Sequence, residues 1–171
     1  MVYQAKEVGP NRYREEIGRY FEDFKTGDIY EHRPGRTISE ADNSWFTLLT
    51  MNTHPLHFDA NFAAKSEFGK PLVNSALTLS IVVGMSVSDT SQNAIANLGW
   101  NDIKLTAPVF HGDTIYAESE VLETRESKSR PTQGIVTIQT TGKKADGTVF
   151  MTFERSILTP KRGYGVGDAL D

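Results

Sequence analysis

One short stretch of the chain concentrates the residues that could move a proton. It reads Asn52-Thr53-His54-Pro55-Leu56-His57-Phe58-Asp59. His57 is the candidate general acid or base, because an imidazole side chain ordinarily titrates near neutral pH. Asn52 can hold a water molecule by a hydrogen bond but cannot accept its proton. If a second ionisable group is needed, Asp59 in the same loop and Asp42 are the candidates.

Each of these residues also has a purely structural interpretation. His57 could be a structural loop histidine, and Asn52 could cap the C-terminus of the preceding helix, where Asn is favoured. His54 is interpreted as a surface or supporting residue. His32 and His111 fall in strand or turn contexts, which favours solvated scaffold roles for both.

Three helices are expected around this loop. Ser39 can cap the first helix, which must end before Pro55 because a proline disfavours helical geometry in the residue before it. That helix carries an apolar stripe, formed by Trp45, Phe46, Leu48 and Leu49. A second short helix is expected from Asn61 to Phe68. The third is expected from about Asn74 to Asp89, and because it is apolar on nearly every side we predict a buried core helix.

Strand patterns occupy the rest of the chain. Residues with β-branched and aromatic side chains are concentrated in five stretches, which are Ile29 to Ile38, Ile95 to Leu105, Thr114 to Glu123, Ile135 to Thr141 and Val149 to Leu158. Asp146-Gly147 is a typical hairpin turn between the last two. One strand, then helices, then consecutive strands predict an α+β domain. We expect a hot-dog fold, in which a curved antiparallel sheet wraps around one long apolar helix.

The amino-acid composition excludes several kinds of partner and functional site. The chain has 171 residues, with 18 Lys and Arg against 22 Asp and Glu, and it has no Cys. The mild acidity argues against a nucleic-acid partner, and the lack of Cys excludes disulfides, thiolate nucleophiles and Cys-ligated metals. The apolar run from Leu72 to Val87 is short for a membrane span and is interrupted by polar residues. The polar N-terminus lacks a signal-peptide core, so we expect a cytoplasmic protein.

The chain is expected to divide into three segments. Residues 1–17 are charged and predict an N-terminal arm, residues 18–160 form the hot-dog domain, and residues 161–171 form a loose tail or pack on a partner subunit. A lone domain of this kind would expose one edge of its sheet. We therefore expect a homodimer in which edge strands pair.

The loop around His57 resembles a known motif. MaoC-like (R)-specific enoyl-CoA hydratases carry the pattern D-x-N-P-x-H, and the equivalent positions here read Asn52-Thr53-His54-Pro55-Leu56-His57. The similarity continues through Phe62-Ala63-Ala64, Phe68-Gly69 and Pro71-Leu72-Val73-Asn74-Ser75. It covers about residues 20–160 and is strongest toward the branch of itaconyl-CoA and mesaconyl-CoA hydratases.

The resemblance implies a lyase that adds water to, or removes it from, a 2-enoyl-CoA thioester, with branched and dicarboxylic acyl groups among the substrates. His57 and Asn52 would be catalytic, and the backbone N–H of Ser75 would hold the thioester oxygen as enolate charge develops. Three further residues are assigned to substrate binding, and these are Asn74, Asp59 and Arg130. CoA arrives as part of the substrate, so neither a metal nor a separate cofactor is expected.

Three positions depart from the family pattern. The family's Asp is replaced by Asn52, its Asn by His54, and its His-Gly pair by Asn74-Ser75. Either His57 works with Asn52 as a water positioner, or another carboxylate serves, or the site binds acyl-CoA without hydrating it. The same fold also hosts thioester hydrolysis, so an acyl-CoA thioesterase is the rival enzyme class.

Overall fold

The N-terminal segment forms a hairpin of its own. The computed structural model describes residues 4–16 and 18–169. Strands β1 (Gln4–Gly9) and β2 (Arg12–Glu16) pair antiparallel in a two-stranded sheet separate from the main one. The expected arm therefore contains regular structure, although its residues 1–3 and 17 lie outside the described part of the chain.

The main sheet has five antiparallel strands in the order β3-β5-β6-β7-β4. Their bounds are β3 (Ile29–Thr37), β4 (Ala96–Leu105), β5 (Thr114–Glu126), β6 (Gln133–Lys144) and β7 (Val149–Pro160). These bounds confirm the five predicted strands to within three residues. Burial alternates along β6 and along most of β5 and β7, as expected for strands whose two faces differ. The turn between β6 and β7 places Gly147 at φ 89°, a conformation that favours glycine.

Helix α3 (Ser75–Ser86) packs against one face of this sheet and continues as a wider helical turn over Val87–Ser91. Its contacts build the larger hydrophobic core, which includes Val73, Leu77, Ile81, Val82, Ile115, Phe150 and Phe153. A smaller core lies toward the other end of the sheet, around Phe24, Val121, Val136, Ile138 and Ile157. This arrangement of one sheet around one helix is the predicted hot-dog fold.

The helices differ from the predictions in three respects. Helix α3 is not enclosed on every side, because its small residues Ala76, Ser80 and Gly84 are exposed. The second helix is one turn only, α2 (Ala60–Ala63), since the chain leaves helical geometry well before Phe68. Among the described residues, no helix is both long and apolar enough to cross a membrane.

The third difference concerns helix α1 (Glu40–Leu49). The predicted cap is confirmed, since Ser39 and Asp42 form a reciprocal capping box. Of the apolar stripe, however, only Phe46 packs against the core, because Trp45, Leu48 and Leu49 are 69%, 59% and 74% exposed. The buried face is polar instead, and it consists of Asn43 and Thr47.

The C-terminal segment is anchored on its own chain. Arg162 pairs with Asp23 at 2.6 Å, and the Tyr20 hydroxyl donates to Asp168 at 2.8 Å. The expectation of a loose tail is therefore wrong for residues 161–169. Residues 170–171 lie outside the described part of the chain.

Candidate active site

The loop that carries His57 begins with a well-defined helix end. Thr50 caps α1, and Met51 takes the left-handed conformation at φ 56°. The backbone N–H groups of Met51 and Asn52 donate to Leu48 O at 3.1 Å and Thr47 O at 3.0 Å, which is a Schellman arrangement. The alternative in which Asn52 is the helix cap is thus wrong for its side chain. That side chain accepts a hydrogen bond from His54 N at 3.0 Å.

His54 and Pro55 stiffen the next turn. Pro55 is the first residue of a single 3-10 turn that ends at His57, and His54 lies in extended geometry before it, as a residue preceding proline should. The His54 ring accepts a hydrogen bond from Leu56 N at 3.1 Å. This confirms the prediction that His54 supports the loop.

His57 is half-buried and has a defined proton arrangement. Its Nδ1 lies 2.9 Å from the carbonyl oxygen of Leu72. Because a carbonyl can only accept, Nδ1 carries the hydrogen and Nε2 of the neutral ring carries a lone pair. No described protein atom hydrogen-bonds to Nε2, so this nitrogen is available to a water molecule. This arrangement is compatible with the predicted acid or base role of His57, which stays a prediction.

The N-terminus of α3 lies directly after Leu72. Asn74 caps the helix, with its side-chain oxygen 3.0 Å from Ala76 N. Within the described chain, no acceptor is bonded to the backbone N–H of Ser75, the first helical residue. An unpaired N–H at a helix N-terminus, reinforced by the helix dipole, favours a developing negative charge. This is the geometry that the prediction for Ser75 requires.

A cavity of about 300 Å³ lies beside Ser75. It is lined by Phe68, Leu72, Val73, Ser75, Thr78, Phe150 and residues 105–109. The lining is largely apolar, and none of the described residues in it is charged. His57 does not line the cavity itself, but Leu72, whose carbonyl holds the His57 ring, does.

The remaining predicted residues already hold structural positions. Asp59 caps α2 by accepting from Phe62 N at 3.0 Å, and Asn74 caps α3, so the binding roles of both stay predictions. Asp42 caps α1 and pairs with Arg36; the hydrogen bond from the Ser39 backbone N–H keeps the pKa of Asp42 below its usual value. That arrangement disfavours Asp42 as a base.

Arg130 is not brought into this site. It lies exposed in the turn between β5 and β6, where it contacts Gln133 at 3.4 Å. The α3 N-terminus lies at the opposite end of β5, because Val73 N bonds to Val109 O. A strand of 13 residues spans roughly 40 Å, so this chain's Arg130 is far from its own cavity.

Two residues of the site were missed by the sequence analysis. Asn43 is completely buried on α1 and bonds to the segments that carry His57, Leu72 and Asn74. His111, expected to be solvated, is half-buried and lies 3.0 Å from the Asn43 amide. The hint in the sequence was a polar pair, Asn43 and Thr47, spaced about one helical turn apart on α1.

A second buried histidine lies elsewhere in the fold. His32 on β3 is 0% exposed, with Nδ1 3.0 Å from Asp89 and Nε2 2.8 Å from the Ser119 hydroxyl. Burial lowers the pKa of His32 below its ordinary value, although the hydrogen bond to Asp89 acts in the opposite direction. The prediction of a solvated scaffold role is wrong about its solvation.

Arg155 is buried near the same cluster. It donates to the hydroxyls of Ser86 at 3.0 Å and Thr90 at 2.9 Å. Burial lowers its pKa to about 10, so it remains charged at neutral pH. The guanidinium thereby ties β7 to the C-terminal end of α3.

Comparison with known proteins agrees with this geometry. A family model described as mesaconyl-CoA hydratase matches residues 10–169. The chain belongs to the mesaconyl-CoA hydratase family. It is 32% identical over 145 residues to the mesaconyl-CoA hydratase of Cereibacter sphaeroides, covering 85% of this chain and 42% of that protein. The chain therefore spans less than half the length of that relative.

Shorter relatives of the family match over nearly their whole length. The (R)-specific enoyl-CoA hydratase of Aeromonas caviae is 30% identical, and the match covers 75% of this chain and 91% of that one. The solved structure of a MaoC-like dehydratase from Rhodospirillum rubrum superposes with a TM-score of 0.75 at 26% identity. That match covers 85% of this chain and 99% of the other. Membership of the MaoC-like branch, suggested by the loop motif, is confirmed.

Proposed function

We propose that the protein adds water to the double bond of a 2-enoyl-CoA thioester, or removes it in the reverse direction. The observation that carries this proposal is the pairing of two features. His57 has its Nδ1 hydrogen held by the Leu72 carbonyl and its Nε2 available, and Ser75, three residues after Leu72, lines an apolar cavity and has a backbone N–H without a partner in the described chain. The hydratases and dehydratases among its relatives support the same reaction class.

The chemistry follows from these two groups. His57 Nε2 takes a proton from water while the water oxygen bonds to the β-carbon of the enoyl group. The electron pair of the double bond moves onto the thioester oxygen, where the Ser75 N–H and the α3 dipole stabilise the charge. The α-carbon then recovers the proton from the imidazolium. The thioester bond stays intact throughout, and one histidine can perform both proton transfers.

Asn52 is proposed to hold the attacking water. Its Oδ1 is engaged by the His54 backbone, and no described protein atom accepts from its Nδ2. A neutral amide can orient a water molecule but cannot share the proton transfer with His57. The carboxylate of the family pattern would do both. The single-base mechanism above is therefore the one this chain supports.

The cavity lining favours an uncharged acyl group. A free carboxylate buried there would find no cation among the described lining residues, and an unpaired buried charge is strongly unfavourable. A straight or branched enoyl chain meets apolar side chains instead. We further propose that CoA enters only as part of the substrate, and that neither a metal nor another cofactor takes part.

A homodimer is proposed on the evidence of the edge strand. β4 lies at the edge of the sheet and exposes four large apolar side chains, which are Leu98, Trp100, Ile103 and Leu105, and Ile95 directly before the strand is exposed as well. An exposed apolar edge of this kind invites pairing with another strand. The mesaconyl-CoA hydratase of Cereibacter sphaeroides is more than twice as long as the region it matches, and two copies of this chain would together have a comparable length. We place this dimer in the cytoplasm, where a chain without Cys and with a CoA-linked substrate is expected.

A panel of thioesters tests the activity. Straight, branched and carboxylated 2-enoyl-CoAs are incubated with the protein while loss of the enoyl absorbance and release of free thiol are followed in parallel. We expect loss of the enoyl group without thiol, fastest for uncharged acyl chains. Thiol release would identify a thioesterase, binding without turnover would identify an acyl-CoA binder, and either result overturns the proposal.

The dimer is tested by Trp100→Lys. A lysine on an edge strand opposes pairing with another edge, so the variant should sediment as a monomer where the wild type sediments as a dimer. A monomeric wild-type protein would contradict the proposed assembly.

A further inference from the structure

Asn43 joins three segments that are distant in the sequence. Its Nδ2 lies 2.8 Å from the carbonyl oxygen of His57 and 3.1 Å from that of Leu72. Its Oδ1 accepts from Asn74 N at 2.8 Å. The side chain is completely buried, so water does not compete for these bonds.

The orientation of this amide is set by its partners. Two backbone carbonyls can only accept and the Asn74 N–H can only donate, so nitrogen must face the carbonyls and oxygen the N–H. His111 Nε2 lies 3.0 Å from the same nitrogen, and because an amide nitrogen carries only two hydrogens, it shares one of them with a carbonyl when its ring is neutral with the hydrogen on Nδ1. A hydroxyl supplies one donor only, whereas an amide supplies two donors and an acceptor at one position.

The bonds of Asn43 converge on the two groups that the proposed reaction uses. The Leu72 carbonyl receives both Asn43 Nδ2 and the Nδ1 hydrogen of His57. The Asn74 N–H held by Asn43 belongs to the residue directly before Ser75. Asn43 therefore sets the position of the imidazole relative to the Ser75 N–H without contacting either reacting atom.

We propose that Asn43 is a positioning residue for the hydration reaction, because it fixes the distance between the His57 imidazole and the N–H group that receives the enolate charge. This inference rests on the proposed function. Binding of the CoA portion does not depend on that distance, whereas the proton transfer does. Loss of Asn43 should consequently lower kcat and leave KM little changed.

The test compares Asn43→Ala with a matched control, Thr47→Val. Thr47 lies one turn further along α1, is also 0% exposed and contacts Asn74, with its hydroxyl 3.4 Å from Asn74 Nδ2, but it has no bond to His57, Leu72 or His111. We expect N43A to lower kcat roughly 10²-fold, as small misplacements of catalytic groups do. T47V should retain nearly wild-type kcat, with both variants checked for folding by circular dichroism.

A second readout is independent of turnover. In protein labelled with ¹⁵N-histidine, long-range ¹H–¹⁵N spectra report which ring nitrogen carries the hydrogen, and His57→Ala identifies the signals of His57. N43A should convert the single Nδ1–H form of His57 into a mixture of both tautomers, whereas T47V should preserve it. Should N43A not fold, Asn43→Ser is judged by the same two readouts.

The outcomes separate the two proposals. Wild-type kcat and an unchanged His57 tautomer in N43A would overturn the positioning role, and so would an equal loss of kcat in N43A and T47V. If the wild type hydrates no thioester, the proposed function fails. The tautomer of His57 in N43A then still decides whether Asn43 positions the ring.

Discussion

His57 and His32 are held by similar hydrogen bonds, but only His57 is proposed to take part in a reaction. Both His57 and His32 have Nδ1 within 3.0 Å of an oxygen acceptor. For His32, the other ring nitrogen, Nε2, is hydrogen-bonded to the Ser119 hydroxyl. That hydroxyl lies 2.8 Å from the hydroxyl of Thr140. For His57 the opposite nitrogen has no partner in the described chain, and the segment that orients the ring lines a cavity.

The comparison shows that a familiar set of residue types is not sufficient for a site. Asp89, His32 and Ser119 have the connectivity of a hydrolase triad, yet they are 2%, 0% and 0% exposed and no substrate can reach them. His57 is oriented by a backbone carbonyl instead of a carboxylate. An unpartnered ring nitrogen distinguishes His57, the histidine proposed to react, from His32, which is enclosed in the structure.

Replacing His57 should give the largest effect. We expect His57→Ala to lower kcat for enoyl-CoA hydration by ~10²–10⁴-fold, the usual cost of losing a positioned acid or base. Its melting temperature should stay close to the wild type, because the side chain is only half-buried. Turnover near the wild-type rate would show that His57 takes no part in the reaction. The proposed difference in role between His57 and His32 would then be wrong.

In the buried cluster around His32, we expect a substitution to lower stability and to leave activity unchanged. Ser119→Ala removes the donor to His32 Nε2 and the partner of Thr140, which should cost about 1–3 kcal/mol of unfolding free energy because buried polar groups are left unpaired. Its kcat should be unchanged. Ser156→Ala is the control, since Ser156 forms a similar hydroxyl pair with Thr137 at 3.0 Å in a less buried setting. Denaturant unfolding of both variants measures the two losses of unfolding free energy. Equal losses would show that the His32 cluster stabilises the fold no more than the Thr137–Ser156 pair does.

A smaller effect is expected from pH. The pKa of His32 is lowered in the folded protein relative to the ordinary value of 6.5, so the unfolded chain binds a proton first as the pH falls. The contribution of His32 is therefore complete above the unfolded pKa and declines as the pH drops below it. Melting temperatures between neutral and mildly acidic pH should fall more steeply for the wild type than for His32→Gln. An equal fall of melting temperature with pH in the two proteins would contradict the lowered pKa of His32.

The smallest expected change concerns Asn52. Asn52→Asp keeps the acceptor for His54 N and adds a charge that favours the protonated form of a nearby imidazole. We expect hydration of straight-chain enoyl-CoAs to rise severalfold, because the carboxylate can share the proton transfer. Asn52→Ala, which lacks both functions, is the comparison. Identical kinetics for the three proteins on every thioester would leave Asn52 as a turn residue only.

Local rules account for what the sequence predicted well. The capping box at Ser39, the proline that shapes the loop at His54 and the turn at Asp146-Gly147 each depend on residues within a few positions of one another. The strands follow from alternating side chains, and the motif around His57 was sufficient to indicate the family. The unpaired backbone N–H of Ser75 also follows from its place as the first residue of α3.

Tertiary structure alone decided which polar residues meet. Asn43 contacts Asn74 and His111 across 31 and 68 positions of the chain, and His32 contacts Ser119 across 87. No local pattern reports such contacts, because they depend on how α1, α3 and the sheet pack together. The same packing left Trp45, Leu48 and Leu49 of α1 exposed and buried Asn43, whose amide bonds the backbone groups of Leu72 and Asn74 before α3.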